Sequence, residues 1–524
     1  MPEALSVGSS LSLTTITLFL PMVGLTILLF MNEEKDKDAI KWTAFGFTIA
    51  TFIASLLMAF NFDVNDAGLQ MAQRNDWLPQ LGISYFVGVD GLSMLMVLLS
   101  TIIMPIAVMA SFRAGVLEER GRSKLYYIFM LLLEWAMIGV FVVQDLIIFY
   151  IFWEVTLVPM YFLIGIWGAE NRVYAAVKFF LYTMAGSILM LLAILYVGNA
   201  AGTFAVPEII AGVQSGQLTF VMDGVFSEQS FLFLGFLIAF AIKVPIWPLH
   251  SWLPDAHVQA PTAGSVVLAG VLLKMGTYAM IRFNLPMFPE ASVTWAPVVA
   301  GLGVIGIIYG AWVCYAQTDM KKLVAYSSVS HLGFVVLGIF SLTPQGIQGA
   351  TIQMISHGIS TGGLFLMVGM LYERRHTKLM AAYGGIWKAM PVFGGIGLII
   401  SLSSMGLPGL NGFVGEFTIL LGAIGSGVLG IGFALVATVG VILAAVYILK
   451  MFQAIFMGEL DKEENMNLPD LHWQEIAVLV PILLLIFWIG LQPSAWFDML
   501  DATTASLIAG IADFAPEIIV QAGS

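Results

Sequence analysis

The 524-residue chain is poor in charged residues and has a single cysteine. Asp, Glu, Lys and Arg make up only 10% of its residues, whereas soluble domains average about 25%. The lone Cys314 excludes a cysteine-ligated iron–sulfur cluster, a structural zinc site and an internal disulfide. No basic segment followed by a cleavage site begins the chain, so no removable signal peptide is expected. The net charge of −12 resides in short acidic tracts typical of solvated loops, and no nucleic-acid partner is expected.

Apolar residues dominate, at 59% of the chain. A membrane-crossing helix needs about 20 such residues, so this composition predicts an all-α polytopic membrane protein with little extramembrane domain. A weakly apolar stretch at 505–520 is compatible with a short interfacial helix. The apolar runs predict about fourteen transmembrane helices, at 12–31, 40–61, 90–112, 125–143, 146–168, 173–198, 230–250, 258–282, 294–315, 321–342, 348–371, 391–424, 430–457 and 474–492.

The basic residues are distributed unevenly between alternate loops. Only Arg74 and Arg282 follow even-numbered spans, and Lys243, Lys274 and Lys450 lie within spans. Because basic loops are retained on the cytoplasmic side, both termini are predicted to face outward. The remaining sixteen of the 21 basic residues follow odd-numbered spans, counting span edges: Lys35, Lys37, Lys41, Arg113, Arg120, Arg122, Lys124, Arg172, Lys178, Lys321, Lys322, Arg374, Arg375, Lys378, Lys388 and Lys462.

Helix-breaking residues interrupt two of the predicted spans. Span seven contains Lys243-Val244-Pro245 followed by Pro248, and span twelve contains the run Gly406 to Gly412. Such breaks at membrane depth are tolerated where they line protein or water. Five spans separate the two breaks, which predicts two inverted five-helix repeats. The predicted organisation is three N-terminal helices, two half-channels, and a C-terminal helix with a short tail, at 1–124, 125–283, 294–457 and 458–524 respectively.

Eight ionisable residues fall inside the predicted spans, where each charge costs about 2.5 to 3.5 kcal/mol. Their number favours a proton relay over a few structural ion pairs. Glu154 and Lys243 form the natural pair, with Lys274 as the middle relay. Glu134 could instead contact another subunit, and the two histidines could serve packing or haem ligation. The predicted relay residues are Glu134, Glu154, Lys243, Lys274, His331, His357, Glu416 and Lys450.

Three other patterns are interpreted as structural. The GxGxxG match at 301–306 lies inside a hydrophobic span without a preceding strand, so close helix packing explains it better than dinucleotide binding. His250, Asp255 and His257 suggest a metal, but polar capping of a cytoplasmic connection is favoured. Lys178 is expected to snorkel toward the cytoplasmic edge.

At these residues the sequence closely resembles the antiporter-like subunits of proton-pumping NADH:quinone oxidoreductase, respiratory complex I. The resemblance runs from about Gly88 to Gly458. It rests on Gly88-Val89-Asp90-Gly91-Leu92-Ser93, Phe152-Trp153-Glu154, Leu157-Val158-Pro159, Lys243-Val244-Pro245, His250-Ser251-Trp252-Leu253-Pro254-Asp255-Ala256-His257, Leu272-Leu273-Lys274-Met275-Gly276, Ala325-Tyr326-Ser327-Ser328, Ser330-His331 and Gly412-Phe413-Val414-Gly415-Glu416.

The resemblance implies a role for each matching residue. Glu154 and Lys243 would be the coupling pair and Lys274 the central relay. A glutamate at 416 resembles the M-type branch, since the L and N branches usually carry lysine there. The chain would translocate protons without a cofactor of its own, in a bacterial inner membrane beside other membrane-arm subunits, while NADH, FMN, iron–sulfur clusters and quinone bind other subunits.

Two other functions remain open from the sequence. Mrp-type sodium/proton antiporter subunits share the fold and many of these residues. A haem-bearing quinone oxidase subunit would need axial histidines. Genes for peripheral-arm dehydrogenase subunits beside this one would favour the complex I interpretation over the antiporter.

Overall fold

The computed structural model describes residues 12–514, and it is almost entirely helical. Within this range, twelve helical segments are long and apolar enough to cross a membrane. They correspond to all the predicted spans except seven and twelve, the two predicted to be broken. Each of those two is divided into shorter helices, so the count of fourteen stays a prediction that depends on counting each divided segment as one crossing.

The N-terminal region contains helices and one hairpin. They are α1 (Leu13–Phe30), α2 (Lys37–Phe60), β1 (Gln70–Leu78), β2 (Ile83–Val89), α3 (Gly91–Ala110) and α4 (Gly115–Arg120). The following region, up to residue 287, contains α5 (Ser123–Val142), α6 (Leu146–Val155), α7 (Leu157–Trp167), α8 (Arg172–Ala201), α9 (Val206–Gln214), α10 (Glu228–Lys243), α11 (Trp252–Gln259), α12 (Thr262–Val267), α13 (Leu273–Ala279) and α14 (Leu285–Met287).

The second half is also helical. It contains α15 (Pro289–Ala316), α16 (Met320–Phe340), α17 (Pro344–Arg375), α18 (Ile386–Ala389), α19 (Pro391–Ser404), α20 (Asn411–Ile424), α21 (Ile431–Phe456), α22 (Glu463–Met466), α23 (Trp473–Leu491) and α24 (Ser494–Ala512). Helix α24 begins well before the predicted interfacial stretch at 505–520, whose last six residues lie outside the described range.

The expectation of an all-α protein is wrong in one place. Strands β1 and β2 form an antiparallel hairpin in the connection between spans two and three. Gly82 turns the chain with φ of 68°, which glycine adopts without steric cost. The β-branched and aromatic residues of 83–89 favour a strand, but the segment is too short and too close to a transmembrane run to stand out.

Side-chain caps fix the beginnings of several helices. The carboxylates of Asp90, Asp145 and Asp319 accept hydrogen bonds from the first-turn amides of α3, α6 and α16. Thr343 caps α17 in the same way, with Pro344 at the first helical position. These short polar residues explain why apolar runs begin as helices at these points.

Three segments form the centre of the molecule. The most apolar windows of 262–287 and α17 are completely buried, and that of α16 is 94% buried. By contrast, α8, α21 and α23 are only 39%, 33% and 28% buried over their windows. The outer helices therefore present apolar side chains to the surroundings, while the central three can hold polar groups away from lipid.

The first predicted break lies between α10 and α11. Helix α10 ends at Lys243, just before Pro245, and α11 starts only at Trp252. The indole nitrogen of Trp252 donates to the carbonyl oxygen of Ile242 at 2.8 Å. This bond satisfies a carbonyl that the interrupted helix leaves unpaired.

The second predicted break lies between α19 and α20. Gly406 and Gly409 have φ of 78° and 91°, conformations that other residues rarely adopt. The Asn411 side chain donates to the Ser356 carbonyl and Ser360 hydroxyl of α17, each at 3.2 Å. The irregular backbone between α19 and α20 is thus held against α17, whose most apolar window is completely buried.

Span eight contains further irregularities that the sequence did not indicate. It is interrupted by two π-helical segments, Leu268–Leu272 and Met280–Asn284, which bracket α13. A turn at Thr156 also separates α6 from α7. Because π segments free backbone groups from regular pairing, they are frequent at functional sites.

Connections after odd and even spans gather at opposite ends of the molecule. The hairpin end contains β1, β2 and α9, where Arg74 pairs with Glu208 at 2.5 Å. Partial burial of Glu208 opposes ionisation, but the hydrogen bonds from Arg74 and Thr203 outweigh it and lower the pKa of Glu208. Both described chain ends lie here, since Ser12 bonds Gln73 and Gly510 packs on Gln214. The opposite, basic end includes the Arg374–Glu475 pair.

Candidate functional site: a buried polar axis

The structure brings together four of the eight predicted relay residues. Lys274, His357, His331 and Glu416 lie on α13, α17, α16 and α20 near the centre of the molecule. Each of these four residues is at most 3% exposed. Residues far apart in sequence therefore form one buried polar cluster, which we call the central axis.

Lys274 starts the central axis. Its ammonium nitrogen lies 2.7 Å from Nδ1 of His357 and also donates to the carbonyl oxygen of Ala269, in the first π segment. The sequence suggested no carboxylate partner for Lys274, and the structure gives it a histidine instead. A lysine next to an imidazole can share one proton with it, because the imidazole accepts at one nitrogen and donates at the other.

His331 and Glu416 form the other end of the central axis. Nδ1 of His331 lies 2.7 Å from Oε1 of Glu416, and the two side chains are 3% and 4% exposed. The Tyr447 hydroxyl lies 3.1 Å from Nε2 of His331. If that hydroxyl donates, Nδ1 carries the proton of the neutral ring and donates it toward Glu416. Gln353 Nε2 also donates to Oε1 of Glu416, at 2.9 Å.

A small cavity joins the two pairs. The rings of His331 and His357 are 5.9 Å apart, between centroids, and no direct hydrogen bond joins them. The cavity has a volume of about 10 Å³, room for about one water molecule. It is lined by His331, Gln353, Ser356, His357, Ser360, Thr361, Ser403, Ser404 and Gly412. Nε2 of His357 has no protein hydrogen-bond partner, so water in this cavity can reach it.

The second oxygen of Glu416 points to the break in span twelve. Oε2 has no hydrogen-bond partner among residues 12–514. A Cβ atom at Gly406 would lie 3.3 Å from Oε2, which places the left-handed turn of the break beside this atom. The two carboxylate oxygens therefore face different surroundings, one toward His331 and the other toward irregular backbone.

These histidines do not fit a haem. Both nitrogens of His331 are engaged, one with Glu416 and one with Tyr447, and Nδ1 of His357 is engaged with Lys274. An axial ligand needs a free ring nitrogen facing a macrocycle-sized space. The cavity of about 10 Å³ between the rings is too small for one.

Lys243 lies in a separate, mainly aromatic environment. It is 1% exposed, and its ammonium nitrogen donates to Oγ1 of Thr156 at 3.2 Å. The rings of Trp153 and Phe179 lie with their centroids 5.3 and 5.8 Å from that nitrogen. Within residues 12–514 Lys243 has no ion pair closer than 4 Å, so the predicted partner Glu154 does not touch it. Glu154 is itself only partly buried.

Glu134 is isolated in the core. It is 0% exposed on α5, and neither carboxylate oxygen has a hydrogen-bond partner. Contact with another subunit through this side chain is ruled out by its burial. A carboxylate without partners is costly to bury in its charged form, so a neutral carboxylic acid suits this position.

Lys450 is not the buried intramembrane lysine that the sequence predicted. Its side chain lies on the outer helix α21, only partly buried, and donates to the carbonyl oxygen of Tyr315 at 2.6 Å. The ammonium nitrogen sits 4.2 Å from the centroid of the Tyr315 ring. Hydropathy does not distinguish the exposed faces of α21 from its buried faces. The apolar sequence around Lys450 therefore wrongly indicated that this lysine is buried within the protein.

The His250, Asp255 and His257 group is not a metal site. Asp255 pairs with Lys178 at 2.7 Å, so Lys178 has a specific partner and does not merely snorkel. His257 is fully buried and stacks on Phe365 with centroids 4.6 Å apart. Across residues 12–514, no three His, Cys, Asp or Glu side chains lie close enough to hold a metal ion. The predicted polar connection is instead the packed helix α11.

Comparisons with known proteins identify the family of this chain. A family model described as "NADH:quinone oxidoreductase/Mrp antiporter, TM" matches residues 143–443, and one described as "NADH-ubiquinone oxidoreductase chain 4, amino terminus" matches 15–140. NADH-quinone oxidoreductase subunit M of Rhodobacter capsulatus is 43% identical over 506 residues, covering 95% of this chain and 96% of that protein. The chain belongs to the subunit M family. Subunit M of Rickettsia bellii (strain RML369-C) is also 43% identical, covering 95% and 99%.

Solved structures share the fold of this family member. A chain of respiratory complex I from Thermus thermophilus with bound NADH matches at a TM-score of 0.84 and 30% identity, covering 95% of this chain and 99% of that one. A chain of the Mrp complex from Dietzia sp. DQ12-45-1b matches at 0.81 and 19% identity, covering 95% and 99%, which shows the fold alone. The subunit M family is antiporter-like and belongs to a multi-subunit respiratory membrane complex, as the sequence predicted.

In this subunit M family member, sequence reasoning missed several polar residues that bond the predicted relay residues. Tyr447 and Gln353 bond His331 and Glu416, and Thr156 bonds Lys243. Each is an uncharged polar residue inside an apolar helix. A search for polar as well as ionisable residues inside spans would have found them, but the same search would also return the many hydroxyl groups that bond only their own helix.

Proposed function

We propose that protons cross this chain along the central axis, in its role as a proton-translocating membrane subunit of NADH:quinone oxidoreductase. The observation that carries the proposal is the near-continuous polar path from Lys274 through His357 and His331 to Glu416. A small cavity of about 10 Å³, with room for about one water molecule, spans its one gap. Each of the four groups can gain and lose a proton, which is what a relay requires.

Glu154 and Lys243 are proposed as the coupling pair that drives this transfer. The ammonium of Lys243 is fully buried against aromatic rings and bonded only to a hydroxyl. A charge in this environment depends strongly on the distance to the nearest carboxylate. Movement of Glu154 toward or away from Lys243 would therefore change whether Lys243 holds its proton. Glu134 remains a candidate relay residue, as a neutral carboxylic acid that could release its proton transiently.

The chain itself is proposed to carry no redox cofactor. With one cysteine, buried and bonded to the Leu323 carbonyl, it lacks the thiolates that hold iron–sulfur clusters. NADH, FMN, iron–sulfur clusters and quinone would bind other subunits, and other membrane-arm subunits would flank this one. An Mrp-type antiporter is not favoured, because identities of 43% connect the chain to subunit M, whereas the Mrp likeness extends to the fold alone.

The proposal is tested by replacing the residue at the start of the axis. Lys274→Met keeps the length and apolar stem of the side chain but removes its charge. In the purified complex, reconstituted in vesicles, we expect NADH:quinone electron transfer to continue at a reduced rate while most proton translocation is lost. An assembled Lys274→Met complex that pumps at the wild-type ratio of protons to electrons would contradict the proposal.

The basic end is proposed to face the cytoplasm and the hairpin end the outside of a bacterial inner membrane. Both described chain ends lie at the hairpin end, as an even number of crossings requires. Single cysteines replacing Glu119 and His376 should react with an impermeant maleimide only from the cytoplasmic side, and one replacing Ser215 only from outside. The native Cys314 is buried and serves as the background control. Labelling of the first two from outside would reverse the orientation.

A further inference from the structure

A second polar column leads from Lys274 toward the hairpin end. Tyr278 and Arg282 follow Lys274 along α13 and the second π segment at intervals of four residues. The Arg282 Nε atom lies 3.2 Å from the Tyr278 hydroxyl, which in turn donates to the carbonyl oxygen of Phe141 at 2.8 Å. The column is thus continuous in its outer part and points away from Glu416.

The column ends at a buried ion pair. Nη2 of Arg282 lies 2.6 Å from Oδ1 of Asp90, and the two side chains are 13% and 5% exposed. Arg282 also donates to the Ser93 hydroxyl at 2.9 Å, and Asp90 accepts from the backbone amide of Ser93. Both members of the pair are therefore fixed by several bonds, which holds the guanidinium in one orientation.

A cavity lies directly beyond the pair. It has a volume of about 140 Å³ at the hairpin end, and its lining includes Asp90, Arg282, Gln214, Thr503 and Ser506. Helix α24 supplies the last two of these residues and covers the site, and Thr503 also bonds the amide of Gly91. Water in this cavity would reach the ion pair, so the pair and Tyr278 are what separates it from Lys274.

We propose that Arg282 is a plug that closes a second outward route from Lys274, so that protons leave only through the central axis. Arginine does not release its proton in the working pH range, so a proton cannot be handed on through it. This inference rests on the proposed relay function of Lys274 and adds a residue that determines the direction of transfer.

The competing explanation is that Asp90 and Arg282 only hold α3 against span eight. Replacing arginine by lysine separates the two explanations. Lysine keeps a positive charge that can pair with Asp90, so the helix contact survives, but a lysine can give up its proton. If Arg282 is a plug, Arg282→Lys should let protons through. If the pair is purely structural, Arg282→Lys should largely preserve the ion pair and stay closed to protons.

The experiment measures passive proton flux in vesicles that contain the purified complex without NADH or quinone. A potassium gradient with valinomycin sets the membrane potential, and an internal pH dye reports proton flow. Arg282→Lys should leak protons severalfold faster than the wild type. Arg74→Lys is the matched control, because Arg74 also pairs with an acid at the hairpin end, and it should not leak.

A double variant links the leak to this route. In Arg282→Lys with Tyr278→Phe the hydroxyl that would carry the proton is absent, so the leak should return toward the wild-type rate. If Arg282→Lys fails to assemble, Arg282→His replaces it, because a histidine can carry a positive charge beside Asp90 and can also release its proton, so it should leak as well. Wild-type flux in the assembled variant, or a leak that persists in the double variant, would overturn the plug. Failure of the central axis appears differently, as lost pumping during turnover without a resting leak.

Discussion

Lys274 and Lys243 are both completely buried lysines, yet the structure surrounds them differently. Lys274 lies 2.7 Å from a histidine, within a network that extends to Glu416. Lys243 has a threonine hydroxyl and two aromatic rings around it, and its predicted acidic partner makes no contact. The central axis therefore holds its titratable groups within reach of one another, whereas Lys243 and Glu154 are held apart.

This difference indicates two kinds of proton-handling site. In the central axis, transfer needs only rotation of hydrogen bonds and one bridging water molecule, because donors and acceptors are already within reach. Around Lys243 and Glu154, transfer or charge release needs a change in side-chain position or hydration. The first region suits a conduit, and the second suits a switch that responds to a distant signal.

The largest effect is expected at Glu416, the end of the continuous region. Glu416→Gln keeps the shape and can still bond His331 and Gln353, but it cannot ionise. We expect it to abolish quinone-linked pumping, while Glu416→Asp retains part of it. Pumping is measured in proteoliposomes after assembly is verified, with Glu118→Gln, in the exposed helix α4, as the control. Equal pumping by Glu416→Gln and the wild type would make Glu416 a packing residue.

A large but less complete loss is expected at Lys243, in the separated region. Lys243→Ala should lose most proton translocation while assembly remains largely intact, because the lysine makes a single hydrogen bond. Lys243→Arg should also fail, since arginine retains its proton. Lys450→Ala is the control, with the same charge removed from an outer helix, and it should pump normally. If Lys243→Ala pumps normally and Lys450→Ala does not, Lys450 rather than Lys243 would be the lysine on which proton translocation depends.

The smallest effect is expected at Tyr447, which positions His331. Tyr447→Phe removes one hydrogen bond, worth about 0.5–1.5 kcal/mol, and leaves the ring packing intact. Since one pH unit corresponds to about 1.4 kcal/mol, the pH profile of pumping should shift by up to about one unit with little change in assembly. Tyr174→Phe, on an exposed face of α8, should leave the profile unchanged. An unshifted profile in Tyr447→Phe would mean that the tyrosine only fills space.

Sequence alone found the residues of the axis but not their pairing. Lys274, His331, His357 and Glu416 stand out because ionisable residues in apolar spans are costly, and this cost depends only on composition. The Lys274–His357 contact joins residues 83 positions apart. No local pattern specifies such a contact, so Glu154 was expected as the partner of Lys243 and none was found for Lys274.

The interruptions of the helices also divide into those that the sequence predicts and those that it does not. Proline and glycine at 245, 248, 406, 408 and 409 disrupt helices wherever they occur, so both interruptions could be predicted. The π segments around Lys274 are not marked by proline, and only the first contains a glycine, Gly270. Their backbone is set by packing, the first against α17 and α3 and the second against α10. The short hairpin was missed for a related reason, because a strand of seven residues gains most of its stability from its partner strand.

The sequence by itself determined that this chain spans a membrane many times, where two of the spans break and which residues could carry protons. These properties follow from hydropathy, backbone restrictions and the cost of burying charge, all of which act locally. Only the tertiary structure decided which groups meet, that Lys450 lies outside the axis and that Arg282 faces Asp90 beside a cavity. Contacts between helices depend on how whole surfaces pack together, and that information is distributed over the entire chain.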